Sequence, residues 1–307
     1  MGSPYAYTQQ AASKCYTIDP LLGVSALPDG GRSYNYSQNG RVVSEPVPPS
    51  GFDILTASAA ELERYGLPAR PTSEPGLSKW QNDYRHARFA TPPSFLAQVP
   101  SSLENSQPPS PRYVTAHFAG YETTGSGSFT AGSARYTEPG LKPVSCSSPA
   151  IALWSGIGST SSSFGQDGTY SLPNNNHNAF AEAWQAGASS PAYSVTLFRA
   201  AAGDSIRANV NYSSGGFGGT VTDVTTGVVN GWNSGGGFSG TPNTAEALLE
   251  QLKGYGMADF TSVPFAYSQG NGTAISAFGH TALTNSPNTS VGGINGSGGF
   301  NVSWNHC

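Results

Sequence analysis

From Arg112 onward the chain is a succession of short apolar segments cut by turn residues: YVTAHFAGY, SFTAGSARY, AIALWSGI, AFAEAW, YSVTLF, SIRANVNY, GTVTDVTTG and VPFAYS. Each is aromatic or β-branched and is bounded by Gly, Ser, Asn or Pro, the pattern of strands and their turns. Several alternate with the period of a strand, as Val195 and Leu197 do against Ser194 and Thr196. Eight or more such segments in residues 112–307 predict an all-β fold, a two-sheet antiparallel β-sandwich. No fixed repeat runs through them, which disfavours a propeller or solenoid. Composition agrees. Charged residues make up 10% of the chain, too few to lace the exposed faces of a helical protein. The 15 Tyr, 14 Phe and 5 Trp are ample material for a core, which argues against disorder.

The net charge of −4 argues against a nucleic-acid partner, because phosphate binding needs clustered Lys and Arg. No apolar run is long enough to span a membrane. The sequence opens Met-Gly-Ser without an apolar signal segment, so the chain reads either as cytosolic or as secreted with its signal peptide absent. A surface rich in Ser, Asn, Thr and Gly depends little on ionised carboxylates; this favours a secreted protein, and a monomer is expected. Cys15, Cys146 and Cys307 allow one disulfide in three pairings. The five histidines are scattered and no Cys-x-x-Cys occurs, so no metal site is expected.

Residues 1–111 have a different character and hold 17 of the charged residues. Thr56–Tyr65 and Ser78–Arg88 read as helices, PARPTSEPG and ATPPSF as connectors, and QPPSPR as a Pro-rich exit. The expectation is an irregular, partly helical, prosegment-like region at 1–111 preceding a β-sandwich catalytic domain at 112–307. Lys79, Arg85 and Arg88 could pair with carboxylates of a cleft, or the segment 94–100 could occlude it. An ordinary structural extension is the plain alternative.

Carboxylates are scarce after Arg112. Asp204 and Asp223 lie in turn-like contexts, where Asp bonds local backbone. Glu182 lies between Ala and aromatic residues in AFAEAW, where a solvated charge would be unusual. Taken locally, TAEALLEQLK reads as a helix begun by Asn243 or Thr244, with Glu246 and Glu250 one turn apart. Nucleophile and phosphate-loop readings fail, because no Gly-x-Ser-x-Gly elbow and no Gly-rich loop leads into a helix.

Several motifs, in order, resemble those of the eqolisins, the glutamic peptidases: HFAGY at 117–121, ALWSGIGS at 152–159, GQDG at 165–168, AFAEAW at 179–184, AGDSIRANVNY at 202–212, GTVTDVTTG at 219–227, TAEALLE at 244–250 and VPFA at 263–266. Their shared order covers about half the chain. The resemblance implies a concanavalin-like sandwich and makes Gln166 and Glu250 the catalytic pair, with Trp154 and Glu182 lining the substrate site. It also places a strand at 244–252 in place of the local helix, so that Glu246, Leu248 and Glu250 share one face.

Two such residues suit amide hydrolysis. Glu250 as carboxylate would take the proton of the attacking water and return it to the leaving amine. The Gln166 amide would donate to the tetrahedral oxyanion. No nucleophile, metal or cofactor is needed, and protein or peptide substrates are implied. The alternatives are a carbohydrate-binding sandwich with platforms such as Trp184, Trp232 and Trp304, and an inactive homologue.

Overall fold

Period-two alternation builds two sheets that face each other, antiparallel but for one short edge pair. In the Asn176–Trp184 strand, Ala179, Ala181 and Ala183 join one apolar cluster while Phe180 and Trp184 join another. The computed structural model describes residues 18–19, 21–38, 41–67, 69–74, 76–89, 96–97, 117–124, 127–142, 149–158, 162–172, 176–186, 191–252 and 255–306. Cys15, Cys146, Cys307 and the Pro-rich exit lie outside these residues.

The first sheet has seven strands, in the spatial order Tyr193–Arg199, Asn176–Trp184, Phe164–Leu172, Ile151–Gly158, Ala245–Gln251, Phe118–Thr123 and His280–Leu283. The second runs Thr289–Val291, Phe300–Trp304, Ser262–Gly270, Ala131–Thr137, Ser205–Ser213, Gly216–Asp223, Val228–Asn233 and Arg88–Phe89, with Thr273–Ala274 paired to Ser262–Gly270 off this path. Leu153, Ile157 and Leu249 of the first sheet meet Ile206, Val210, Val221 and Phe265 of the second in the main core. Burying each such side chain contributes about 1.5–3 kcal/mol. The all-β sandwich read from the sequence is the observed architecture, and each of the eight predicted segments contains a strand.

The segment read locally as a helix is the strand Ala245–Gln251. It is laddered to Ile151–Gly158 on one side and to Phe118–Thr123 on the other. Ala245, Ala247 and Leu249 point to the main core, leaving Glu246, Leu248 and Glu250 on the opposite face. Two ready ladders outweigh the few tenths of a kcal/mol per residue that helix propensity offers.

The predicted N-terminal helices form at Ala59–Arg64 and Gly76–Tyr84, the first with a Ser58/Glu61 capping box. A three-stranded antiparallel sheet, Leu21–Ala26, Arg32–Gln38 and Arg41–Val47, precedes them and was not anticipated. Leu62, Tyr65, Trp80 and Tyr84 pack around Val229, and the Arg207 guanidinium lies 5.2 Å from the Tyr84 ring centroid. The helices therefore cover the outer face of the second sheet. Arg88–Phe89 pairs in parallel with Val228–Val229, and Arg88 donates to the Thr226 carbonyl. Arg88 thus lies on the sheet opposite the first sheet's outer face, contrary to its expected pairing with cleft carboxylates. Among the described residues no helix is long and apolar enough to cross a membrane.

Candidate active site

The outer face of the first sheet carries all four residues that the sequence singled out. Strand alternation and register put Gln166, Glu182, Trp154 and Glu250 on this face, among Phe118, Phe164, Tyr170, Phe180, Trp184 and Leu248. All four are buried, none more than 1% exposed. Among the described residues, the apolar cluster around them belongs entirely to this sheet and its adjoining loops.

One row of directly opposed residues crosses the sheet. It runs Ser194, Glu182, Gln166, Gly156, Glu246, Glu122 and Thr281. Gln166 Nε2 donates to Glu182 Oε2 at 2.8 Å, and Ser194 Oγ donates to Glu182 Oε1 at 3.2 Å. Glu182 thus holds the Gln166 amide by one of its two N–H groups, leaving the second for another acceptor. Gly156 lies between Gln166 and Glu246 in this row, with two aromatic rings packed over it. A Cβ there would come within 2.6 Å of the Phe164 ring and 2.9 Å of the Trp154 ring.

Glu246 Oε1 accepts from Thr244 Oγ1 at 2.9 Å. Glu246 Oε2, Glu122 Oε1 and Gln166 Oε1 are buried with no hydrogen-bond partner. Burial pushes Glu246 well above the ordinary carboxylate range; the adjacent Glu122 adds to this and the Thr244 bond opposes it. Burial raises Glu122 to about 7.

Glu250 lies elsewhere on the same face, opposite Ala152 and Phe118. Its Oε2 accepts from Trp154 Nε1 at 3.0 Å, and Phe118 and Phe164 hold the indole edge-on. The structure therefore joins Gln166 to Glu182 and Trp154 to Glu250. Gln166 and Glu250 lie two strands apart on that face, with Ile151–Gly158 between their strands.

The remaining residues of GQDG serve the fold. Asp167 points to the opposite face, accepts from Trp232 Nε1 at 2.8 Å and is pushed well up by burial. A Cβ at Gly168 would meet the Leu153 carbonyl at 2.0 Å. Asp204 and Asp223 accept from the backbone N–H groups of Ala201, Thr225 and Thr226, as their turn contexts predict. A buried Ser171, His177 and Glu138 cluster was missed. His177 Nδ1 faces both Ser171 Oγ and Glu138 Oε1 at 2.7 Å in the sandwich interior, whereas its Nε2 is buried without a hydrogen-bond partner.

The family model of the peptidase A4 family matches residues 116–296. The chain belongs to that family, the eqolisins. It is a glutamic peptidase, a hydrolase. Scytalido-glutamic peptidase, crystallised with a peptide-based transition-state analogue, is similar at 21% identity over 62% of this chain and 98% of that one, with a TM-score of 0.49. SCP-B, an eqolisin in complex with the tripeptide Ala-Ile-His, is similar at 21% identity over the same shares, with a TM-score of 0.47. No curated protein matches the chain. Trp184 and Trp232 are fully buried and offer no platform for a sugar.

Proposed function

We propose that this eqolisin is an acid-acting endopeptidase in which Gln166 donates to the oxyanion and Glu250 activates water. The observation that carries this reading is that both are buried on one face and each is held by a neighbour: Glu182 takes one Gln166 N–H, and Trp154 Nε1 donates to Glu250 Oε2. A peptide carbonyl between them would have the second Gln166 N–H on one side and the Glu250 carboxyl on the other. Glu250 as carboxylate would take a proton from water as the oxygen attacks the carbonyl carbon. The Gln166 amide would stabilise the oxyanion without itself carrying charge. Glu250 would then protonate the amine nitrogen as the C–N bond breaks, releasing a carboxylic acid and an amine.

Glu246 is a second reading, because strand register puts it in one row with Gln166. Burial holds its carboxyl well above the ordinary range, which keeps it protonated in acid and unable to take a proton from water there. Substitution separates the two. Glu250→Gln is expected to lower kcat by about 10²–10⁴, and Glu246→Gln to act mainly on KM. The reverse ranking would give the base role to Glu246 and leave Glu250 as lining.

We propose further that the chain acts outside the cell as a monomer and that residues 1–111 restrain it before maturation. Tyr34 and Tyr36 belong to the sandwich core, so cleavage after residue 97 would leave 21–89 bound. Incubation at pH 3–4 with sequencing of any new N-terminus tests this. A chain that stays whole and is fully active from the start would make 1–111 a structural extension.

A further inference from the structure

Arg88 lies away from the carboxylates of the active face, which leaves its guanidinium for another role. With Arg32 it lines a cleft of about 660 Å³. One wall is the three-stranded N-terminal sheet with the turn that follows it, and the other is Ala87 with the Arg88–Phe89 strand. Tyr34, Pro49, Phe52 and Phe89 supply apolar surface, and the two phenylalanine rings pack edge-on with centroids 5.6 Å apart. No residue of the apolar cluster on the active face lines this cleft.

Strand register fixes both arginines, Arg32 opposite Val47 and Arg88 opposite Val228, and both are exposed. Arg88 gives one N–H to the Thr226 carbonyl, which leaves the rest of its fork for a ligand. Among the described residues no Asp or Glu lines the cleft. Asp29, next to Gly30 of the wall, accepts from Arg64 and from Tyr65, each at 2.6 Å. Asp53, next to Phe52, accepts from the Leu55 N–H and the Thr56 hydroxyl. The two acids beside the cleft are thus taken up by other partners, and the two arginines face it without a counter-charge.

Such a pair of fixed cations attracts an anion, and a guanidinium fork matches the two oxygens of a carboxylate. A bare inorganic anion would leave the rings and Pro49 uncovered, whereas an organic anion would bury them. The volume suits a small organic ligand. Peptide hydrolysis releases one such species at every turnover, a chain ending in a new carboxylate that is ionised above about pH 3.5. We propose that this cleft is a second binding site, for the C-terminal carboxylate of a peptide whose last residue is aromatic or aliphatic. Arg32 and Arg88 hold the carboxylate, and Pro49, Phe52 and Phe89 take the terminal side chain. The choice of a peptide end rests on the peptidase activity; the anion and its apolar partner rest on the cleft alone.

Isothermal titration calorimetry of the full-length chain at pH 6 tests this with N-acetylphenylalanine, and with N-acetylphenylalaninamide as its uncharged counterpart. One carboxylate should bind per chain, and the amide at least tenfold more weakly, since it lacks the charge. Arg32→Gln and Arg88→Gln should each weaken binding about tenfold, and added salt should weaken it in wild type. Arg32 is exposed, so its substitution should leave the fold and the turnover of an amidated test peptide unchanged. Gln166→Ala should bind the carboxylate as wild type does, which separates this cleft from a product held at the active face.

Equal binding of acid and amide, unchanged binding in both arginine variants, or no binding at all would overturn the site. Loss of binding in Gln166→Ala would move the carboxylate to the active face and overturn it equally. Inorganic phosphate bound more tightly than the carboxylate would overturn the ligand class. Arginine-dependent binding in a chain that cleaves no peptide would uphold the site and remove only its link to hydrolysis.

Discussion

Glu45 offers the sharpest test of how burial shapes the pH response of this protein. It projects from the Arg41–Val47 strand into the end of the sandwich and is 1% exposed. Asn230 Nδ2 donates to its Oε1, whereas Oε2 is without a partner. Burial raises it from 4.5 to about 8, against the smaller opposing effect of Asn230. A carboxyl raised on folding contributes stability that is complete below about pH 4.5 and is lost as pH climbs to about 8. Each unit in that window costs about 1.4 kcal/mol, so the cost at pH 7 is about 3 kcal/mol.

Glu45→Gln keeps the acceptor for Asn230 and cannot ionise. At pH 4 the variant and the wild type should be equally stable within about 1 kcal/mol. At pH 7 the variant should be the more stable by about 3 kcal/mol, or roughly 6 °C in Tm. Urea unfolding of both proteins at the two pH values measures the difference. A gap that does not widen between pH 4 and pH 7 would refute the argument, because it would mean that Glu45 titrates as an exposed carboxyl does.

Gly156→Val should abolish turnover and lower stability, since even a Cβ there would meet the Phe164 ring at 2.6 Å and the Trp154 ring at 2.9 Å and displace the rings beside Gln166 and Glu250; peptide assays with denaturant unfolding check both halves. Gln166→Ala should lower kcat by about 10²–10³ with KM little changed, as loss of an oxyanion donor does, in steady-state kinetics on one peptide. Trp80→Ala should cost about 3–5 kcal/mol, because Trp80 is 2% exposed beneath Arg70 and beside Tyr84; denaturant unfolding measures it. Wild-type Tm should fall steadily from pH 4 to pH 8, because burial raises Glu45, Glu122, Asp167 and Glu246 together; scanning calorimetry follows it.

The strands were legible because aromatic and β-branched runs alternate between Gly and Ser turns. The face shared by Trp154, Gln166, Glu182 and Glu250 could be read once motif order had set their strands. The row joining Gln166 to Glu246 was not legible, because it depends on register between strands far apart in sequence. Glu122 and Glu246 are 124 positions apart and become neighbours only through the ladder. Local propensity misled at Ala245–Gln251, where Ala, Leu and Glu favour a helix in isolation. The hairpin Arg32–Gln38 to Arg41–Val47 had a signal that was passed over. Asn39-Gly40 between alternating segments is a strong two-residue turn signature.

The central claim is tested most directly by digesting a peptide library with the acid-incubated full-length protein across pH 2–7 and reading the products by mass spectrometry. The account predicts internal cleavages in the acid range, absent from a parallel digest with Gln166→Ala. Products of equal yield from both proteins, or none from wild type at any pH, would contradict it.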